Sequence, residues 1–296
     1  MTSRTARRRV LRVTVPSGPD DQATAEARAD LLAVEEPLEI RVGGQPLAVT
    51  MRTPGHDIDL AAGFLATEGV IGSAADLSQI RMCDANVADV TLAPGTPLPA
   101  ERLRRNFITT SACGVCGKES IDAIRVRARY DVSADQVRVS PAMLAELPDR
   151  LRAAQRVFSS TGGLHAAGIF TPGGSLLALR EDVGRHNAVD KVVGWALREG
   201  RLPLAGCVLL VSGRASFELT QKALMAGMPV LAAVSAPSSL AAELAEESGM
   251  TLVGFLRGTS MNVYTGTQRL DVEGPTGLEP EPHALAGQAP AEPGPA

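Results

Sequence analysis

Two cysteines three positions apart, Cys113 and Cys116, are the side chains in this sequence best suited to chemistry. They lie in TSACGVCGKES, residues 110–120, with a glycine inside the pair and another directly after it. Two thiols at this spacing hold a metal, form a reversible disulfide, or act as an attacking and a resolving thiol. Residues 119–129 predict a helix, whose positive amino end makes a nearby thiol a better nucleophile. Such a thiolate accepts a sulfane sulfur as a persulfide; the second thiol then attacks, releases sulfide and leaves a disulfide.

The rest of the chain does not supply the partners that a zinc site needs. Structural zinc takes about four ligands, and the other cysteines, Cys83 and Cys207, stand alone. A zinc deaminase requires H-x-E and P-C-x-x-C, and here Ala112 replaces the proline. We therefore expect no bound metal. A redox pair and an incidental buried pair both stay open at this point.

A second polar cluster falls within residues 162–194. Gly173 and Gly174 predict a hairpin there, with strands at 166–170 and 175–179. Seven polar side chains then crowd the start of a predicted helix: Glu181, Asp182, Arg185, His186, Asn187, Asp190 and Lys191. They exceed what helix capping requires, so we assign His186 to a site. His165 fits a site residue and a buried core histidine equally well.

The third cluster lies at the ends of predicted parallel strands. Short apolar runs alternate with helical stretches at 207–211, 216–226, 230–234, 238–247 and 251–255. This order predicts a parallel sheet covered by helices, whose ligands bind beyond the carboxyl ends of the strands. Arg214 and Arg257 stand there. Because neither a Walker lysine loop nor GxGxxG is present, we expect a bound nucleotide-like anion rather than a cleaved one.

The remaining patterns complete the outline of the chain. They predict a hairpin at 38–51, a helix capped by Asp57 or Asp59 and ended by Gly69, strands at 80–82 and 87–92, and a helix from Pro141 to about Val157.

The composition of the chain limits the classes of protein to which it can belong. The 296 residues are 45% hydrophobic, enough for one large or two ordinary domains. No apolar run approaches the ~20 residues of a membrane helix, and no secretory signal is evident, so we expect a cytoplasmic protein without a membrane partner. The net charge is −4, but residues 271–296 hold five acidic residues and no lysine or arginine, so residues 1–270 carry a net charge of +1. Without a basic excess, no nucleic-acid partner is expected.

Taken together, these motifs resemble the FdhD family of formate dehydrogenase accessory sulfurtransferases. The likeness spans nearly all of residues 35–270. The matching motifs are TPGHDIDLAAGFLATEGVI, SACGVCGKES, GGLHAAGIF, REDVGRHNAVDK, SGRASFELTQKALMAGMPVLAAVSAPS and GFLRGTSMNVYT.

The resemblance implies an enzyme that takes sulfur from a cysteine desulfurase as a persulfide. It passes the sulfur to the molybdenum of bis(molybdopterin guanine dinucleotide), its bound substrate, before insertion into formate dehydrogenase. Cys113 would carry the persulfide, with Cys116 as its partner. The family's cofactor-binding stretch corresponds to Phe255, Leu256, Arg257, Gly258, Thr259 and Ser260, with Asn262. We add Arg214 and His186 from the clusters above.

The family also implies a cytidine-deaminase-like three-layer α/β fold with a mixed or parallel sheet, and a homodimer. We predict a flexible arm at 1–30, a smaller amino-terminal α+β subdomain at 31–135, an α/β cofactor-binding domain at 136–270 and a disordered tail at 271–296. Two other functions remain open: a thiol-disulfide oxidoreductase, and a non-catalytic chaperone that binds the cofactor.

Overall fold

The computed structural model of the chain describes residues 3–15, 18, 22–98 and 129–272. A two-stranded ribbon opens it, formed by β1 (Thr5–Thr14) and β2 (Thr24–Ala33) in antiparallel register. Regular cross-strand pairing therefore runs through most of residues 1–30, and the flexibility predicted for this arm stays a prediction. Residues 273–296, nearly all of the predicted disordered tail, lie outside the described part of the chain.

A four-stranded sheet and one helix follow. The strands are β3 (Glu36–Val42), β4 (Gln45–Arg52), β5 (Leu77–Asp84) and β6 (Val87–Leu92), in the order β4-β3-β6-β5, and the helix is α1 (Asp57–Thr67). The hairpin predicted over 38–51 is confirmed, since β3 and β4 turn at Gly43 and Gly44, both with positive φ. Such φ values suit glycine because it lacks a Cβ.

The predicted cap of α1 is wrong. His56, in the left-handed conformation, precedes the helix without a side-chain cap. The two carboxylates are engaged elsewhere, because Asp57 accepts a hydrogen bond from Arg52 and Asp59 pairs with Arg180.

The second half builds a six-stranded mixed sheet in the order β12-β11-β10-β9-β7-β8. Its elements are α2 (Pro141–Ala154), α3 (Arg156–Thr161), β7 (His165–Phe170), β8 (Leu176–Asp182), α4 (Arg185–Arg198), β9 (Val208–Val211), α5 (Phe217–Met225), β10 (Val230–Ala233), α6 (Ser239–Glu247), β11 (Thr251–Arg257) and β12 (Ser260–Thr265). The parallel set β9, β10 and β11 is confirmed. The antiparallel edge strand β12 was not predicted, and the helix predicted to reach about Val157 divides at Gln155 into α2 and α3.

Both faces of the large sheet are covered. In β9, Leu209 and Val211 join a core shared with α1, α4 and the four-stranded sheet, whereas Val208 and Leu210 pack with α2 on the opposite face. Because both faces of the sheet are covered, the sequences of β9 and β10 are unbroken runs of apolar residues.

α1 and α4 form the layer between the two sheets and cross at two glycines. A Cβ on Gly63 would lie 1.8 Å from the Asp190 carbonyl oxygen, and one on Gly194 would lie 1.8 Å from that of Asp59. Only glycine permits so close an approach. This crossing joins elements on both sides of the predicted domain boundary at 135/136, which stays a prediction. No helix among the described residues is long and apolar enough to span a membrane.

Candidate functional site

Loops from distant parts of the chain meet at one edge of the six-stranded sheet. Since β9, β10 and β11 are parallel, their carboxyl ends share this edge. The loop after β10 lies along the loop after β9: the Ser235 N–H donates to the Gly213 carbonyl at 3.2 Å, and the Ser238 N–H to the Ala215 carbonyl at 2.9 Å. The Phe255 N–H donates to the Ser235 carbonyl at 3.1 Å, so the end of β11 is held against the loop after β10.

Two helices begin at this edge. Ser216 and Ser238 are the N-caps of α5 and α6, and their hydroxyl oxygens accept hydrogen bonds from the N–H groups of Leu219 and Ala241. The amino end of a helix carries a partial positive charge. Both helix starts therefore favour an anion at the strand ends.

Arginines add full positive charge at the same edge. Arg214 follows β9 and is exposed, and Arg185 begins α4 half-buried. Neither side chain has a hydrogen-bonded or ion-paired partner among the described residues. Arg257, at the end of β11, donates from Nε to the Val234 carbonyl at 2.8 Å. This bond holds Arg257 beside the end of β10, so the edge presents three guanidinium groups.

His186 lies at the start of α4, with Nε2 2.5 Å from the Oε2 atom of Glu218 in the first turn of α5. The adjacent His186 imidazole lowers the pKa of Glu218, so the carboxylate stays charged. Glu218 was missed as a site residue, although it closes the SGRASFE motif. Only the fold shows that it meets an imidazole.

His165 begins β7 at the same edge and is half-buried. Burial, together with the positive charge of Arg185, lowers the pKa of His165, so it is neutral near pH 7. A Cβ on Gly213 would lie 3.4 Å from the His165 Nδ1 atom. His165 therefore lies half-buried at this strand edge, next to Gly213.

A cavity of about 520 Å³ adjoins this edge beneath the junction of α2 and α3. Its walls include Arg152, Gln155, Phe158, His165, Ser212 and Val234. The Arg152 guanidinium lies 4.2 Å from the centroid of the Phe158 ring. Gln155 is 3% exposed, and its Nε2 has no hydrogen-bond partner within the described chain. A buried amide donor is costly to leave unpaired. Sequence patterns gave no signal for this cavity, because its walls come from separate segments.

The predicted cofactor-binding stretch turns between β11 and β12. Phe255 has a φ of 50° and is 40% exposed, and Gly258 has a φ of 53° with open space around its Cβ position. Thr259, Ser260 and Asn262 are exposed as well. Leu256 differs from the others: its side chain is fully buried in the core beside α2. The Leu256 side chain therefore packs in the core and is not exposed at this turn.

The polar cluster at the start of α4 divides into two groups. Arg185 and His186 face the edge, whereas Asp182, Asn187 and Lys191 are buried and bonded within the protein. The Lys191 Nζ atom lies 2.6 Å from the Asp182 Oδ2 atom and donates to the Thr53 carbonyl at 2.8 Å. The buried members thus join α4 to the segment before α1.

Cys113 and Cys116, the predicted catalytic pair, lie outside the described residues, as does the helix predicted at 119–129. The described residues contain no cluster of three or more His, Cys, Asp or Glu side chains arranged to hold a metal ion.

The topology and this edge define a mixed α/β protein with a cationic cleft at the carboxyl ends of parallel strands. A crystal structure described as a putative formate dehydrogenase accessory protein from Desulfotalea psychrophila shares the fold, with a TM-score of 0.67 at 24% identity over 88% of this chain and 99% of that one. The family model of FdhD/NarQ matches residues 33–271, and the chain belongs to this family.

Sequence relatives align over most of the chain. The sulfur carrier protein FdhD of Streptomyces avermitilis is 60% identical, covering 90% of this chain and 95% of the relative. The protein of the same name from Mycolicibacterium paratuberculosis is 58% identical, covering 90% and 98%. The family expected from the motifs is therefore confirmed.

Proposed function

We propose that this chain is a sulfurtransferase that carries sulfur from a cysteine desulfurase to the molybdenum cofactor of a formate dehydrogenase. Its relatives are named sulfur carrier proteins, and its structural neighbour is described as a formate dehydrogenase accessory protein. The observation that carries the proposal is the strand edge, where Arg185 and Arg214 lack partners in the described chain beside two helix amino ends. An anionic dinucleotide needs such a surface.

In the first step the Cys113 thiolate attacks the outer sulfur of the desulfurase persulfide. The sulfur–sulfur bond of the donor breaks, the donor cysteine leaves as a thiolate, and Cys113 becomes the persulfide. Cys116 stands close enough in sequence to resolve that persulfide, with release of sulfide and formation of a Cys113–Cys116 disulfide.

The substrate of the second step is Mo-bis(molybdopterin guanine dinucleotide). The arginines and helix ends suit its phosphates, and the adjoining cavity suits a planar ring. There, the unpartnered Gln155 amide would donate to a ring carbonyl, and Phe158 offers an aromatic face. Phe255, Thr259, Ser260 and Asn262 are exposed at the same end of the sheet for further contacts. We further propose a cytidine-deaminase-like architecture, a cytoplasmic location, a homodimer and no permanently bound metal.

Sulfur loading tests the carrier step. The reduced protein is incubated with a cysteine desulfurase and cysteine, and intact and peptide masses are measured together with metal content. We expect one sulfur atom on the peptide that holds Cys113, removed by reductant and absent in Cys113→Ala. Stoichiometric zinc without added sulfur would contradict the proposal. Turnover of a disulfide substrate without any desulfurase would favour an oxidoreductase instead.

Binding of GDP tests the edge site separately, since GDP mimics one end of the proposed substrate. Arg214→Ala should weaken binding about tenfold or more, because it removes a guanidinium that pairs with phosphate. Arg138→Ala is the matched control: Arg138 is also exposed, but it pairs with Asp271 far from the edge. Equal affinities of the two variants would refute the edge assignment. Normal GDP binding with no sulfur loading would favour a cofactor-binding chaperone.

A further inference from the structure

The ribbon of β1 and β2 lacks a third element among the described residues. Within the described part of the chain each strand pairs only with the other, so each has one edge without a described partner. Residues 24–29 of β2 are exposed without interruption, and in β1 only Thr5 and Val10 are partly buried. A two-stranded ribbon alone is marginally stable in water, and free edges pair readily with further strands.

The two faces of the ribbon differ in character. One face carries Leu11, Val13, Ala25, Ala27 and Ala29 along its outer part, with Arg9 opposite Ala29. The opposite face carries charges: Arg8, Arg12, Glu26, Arg28 and Asp30. Leu11 and Val13 are 66% and 56% exposed.

We propose that β2 pairs antiparallel with β2 of a second copy of this chain, about a two-fold axis at Ala27. The two ribbons then form one four-stranded sheet in the order β1-β2-β2-β1. In this register Glu26 of each copy lies opposite Arg28 of the other. The contact is isologous, so it closes as a dimer and leaves no unpaired β2 edge.

Charge complementarity selects the second copy as the occupant. Within its own ribbon Arg28 lies opposite the apolar Val10, and Glu26 lies opposite Arg12. The two-fold register gives Arg28 an acidic neighbour and places Glu26 between two arginines. Opposite charges on facing strands stabilise pairing, and like charges oppose it.

The other edge pairings fit less well. β1 contains Arg7, Arg8, Arg9 and Arg12 and no acidic residue, so two β1 edges would repel. Pairing β1 with β2 of another copy would leave free edges at both ends and grow into an open array. Only the β2 pairing combines opposite charges with closure.

The register also makes the apolar face continuous. Leu11 lies opposite Ala27 within each ribbon, so a row of Leu11, Ala27, Ala27 and Leu11 crosses the four-stranded sheet. The assignment gives a surface to the homodimer proposed above and does not depend on sulfur transfer, which the mass measurement tests by itself.

A charge-swap experiment on the full-length, reduced protein tests the register. Mass in solution is measured by light scattering and sedimentation over a range of concentrations. Glu26→Arg and Arg28→Glu should each raise the dimer dissociation constant about tenfold or more, since each places like charges opposite one another twice. The double variant Glu26→Arg/Arg28→Glu re-forms both pairs between the copies and should dimerise more tightly than either single variant, although residue 26 then faces Arg12 of its own ribbon with like charge. Glu35→Arg, an exposed residue outside both ribbon strands with the same charge change, should behave as the unmodified protein.

Far-UV circular dichroism checks that each variant folds. Hydrogen exchange should show that amides of residues 24–30 are protected in the unmodified protein and lose protection in the single variants. A monomer at all concentrations would overturn the proposal and leave the ribbon to a different partner. A dimer insensitive to the single changes, or a double variant as weak as the single ones, would overturn it equally.

Discussion

His56 combines an unusual backbone conformation with an unusual pKa. It has a φ of 58° just before α1, and its Nδ1 atom lies 3.6 Å from the Asp59 Oδ2 atom. The His56 side chain is 44% exposed, yet partial desolvation, with the nearby Arg180 and Arg4 guanidinium groups, lowers the pKa of His56 to about 4. The folded protein therefore keeps His56 neutral over a range in which the unfolded chain binds a proton.

The depressed pKa predicts a loss of stability on acidification. Above the ordinary histidine pKa of ~6.5, His56 is neutral in both the folded and the unfolded protein, and it takes nothing from the free energy of unfolding. As the pH falls from there towards about 4, only the unfolded chain gains the proton, so the free energy of unfolding decreases. His56→Asn removes the titration, and asparagine tolerates the left-handed backbone. The urea midpoint should fall less between pH 7 and pH 5 in the variant. Identical losses in both proteins would exclude His56 as a source.

Lys191 and Asp182 make the buried ion pair on which the start of α4 depends. Both side chains are fully buried. Burial lowers the pKa of Lys191, while Asp182 acts in the opposite direction. Lys191→Met would leave the Asp182 carboxylate buried without its cation, so we expect a loss of about 3–5 kcal/mol in the free energy of unfolding.

Chemical denaturation measures this loss, and Arg138→Met is the control. Arg138 and Asp271 form an exposed pair, for which about 0–1 kcal/mol is typical. If the two variants lost equal stability, Lys191 would not have the structural role assigned to it.

At the scale of elements, the crossing of α1 and α4 is the most tightly constrained contact. Gly63→Ala and Gly194→Ala each place a methyl group against backbone of the opposite helix. Alanine favours a helix over glycine by about 1 kcal/mol, so any net loss reports the clash directly. We expect a loss of about 1–3 kcal/mol or more, measured by thermal or urea unfolding.

Gly173→Ala is the matched control for this prediction. Its φ is not positive, and its Cβ would lie 3.9 Å from the nearest side-chain atom, in the turn between β7 and β8. It should leave stability nearly unchanged. Unaltered stability of the helix variants as well would mean that the helices separate easily at this crossing.

Sequence patterns predicted most elements but not their partners. The alternation in residues 207–255 gave β9, α5, β10, α6 and β11, because apolar runs and terminal glycines are local signals. β12 was missed. Its residues, from Ser260 to Thr265, are mostly exposed or half-buried, so their pattern alone does not distinguish a strand from a loop. Pairing with β11 makes it a strand.

At the scale of the molecule, a single core joins β3 of the small sheet to α4 and β9 of the second half. Leu38 is fully buried in this core, and Trp195, the only tryptophan of the chain, packs against it. We therefore expect one cooperative unfolding transition. Leu38→Ala should lower the stability by about 2–5 kcal/mol.

Two probes decide whether the transition is shared. Trp195 fluorescence reports on α4, and far-UV circular dichroism reports on all elements. Both should shift together in Leu38→Ala. In contrast, the dichroism of Leu38→Ala could be lost earlier while its fluorescence transition keeps the midpoint of the unmodified protein. That result would show that the two sheets unfold separately.

The sequence alone determined the family, the parallel strands and the residue types at their ends, because motifs and apolar periodicity are carried by neighbouring residues. Only the tertiary structure decided which polar side chains face a ligand. Lys191 and His186 lie in one motif, yet Lys191 is buried against the carbonyl of Thr53, 138 residues away, while His186 lies at the open edge beside Glu218. The cavity lined by Gln155 and the cross-strand pairing of charges in the ribbon likewise depend on the tertiary structure. Burial and pairing depend on groups brought together from distant parts of the chain, and no local pattern records them.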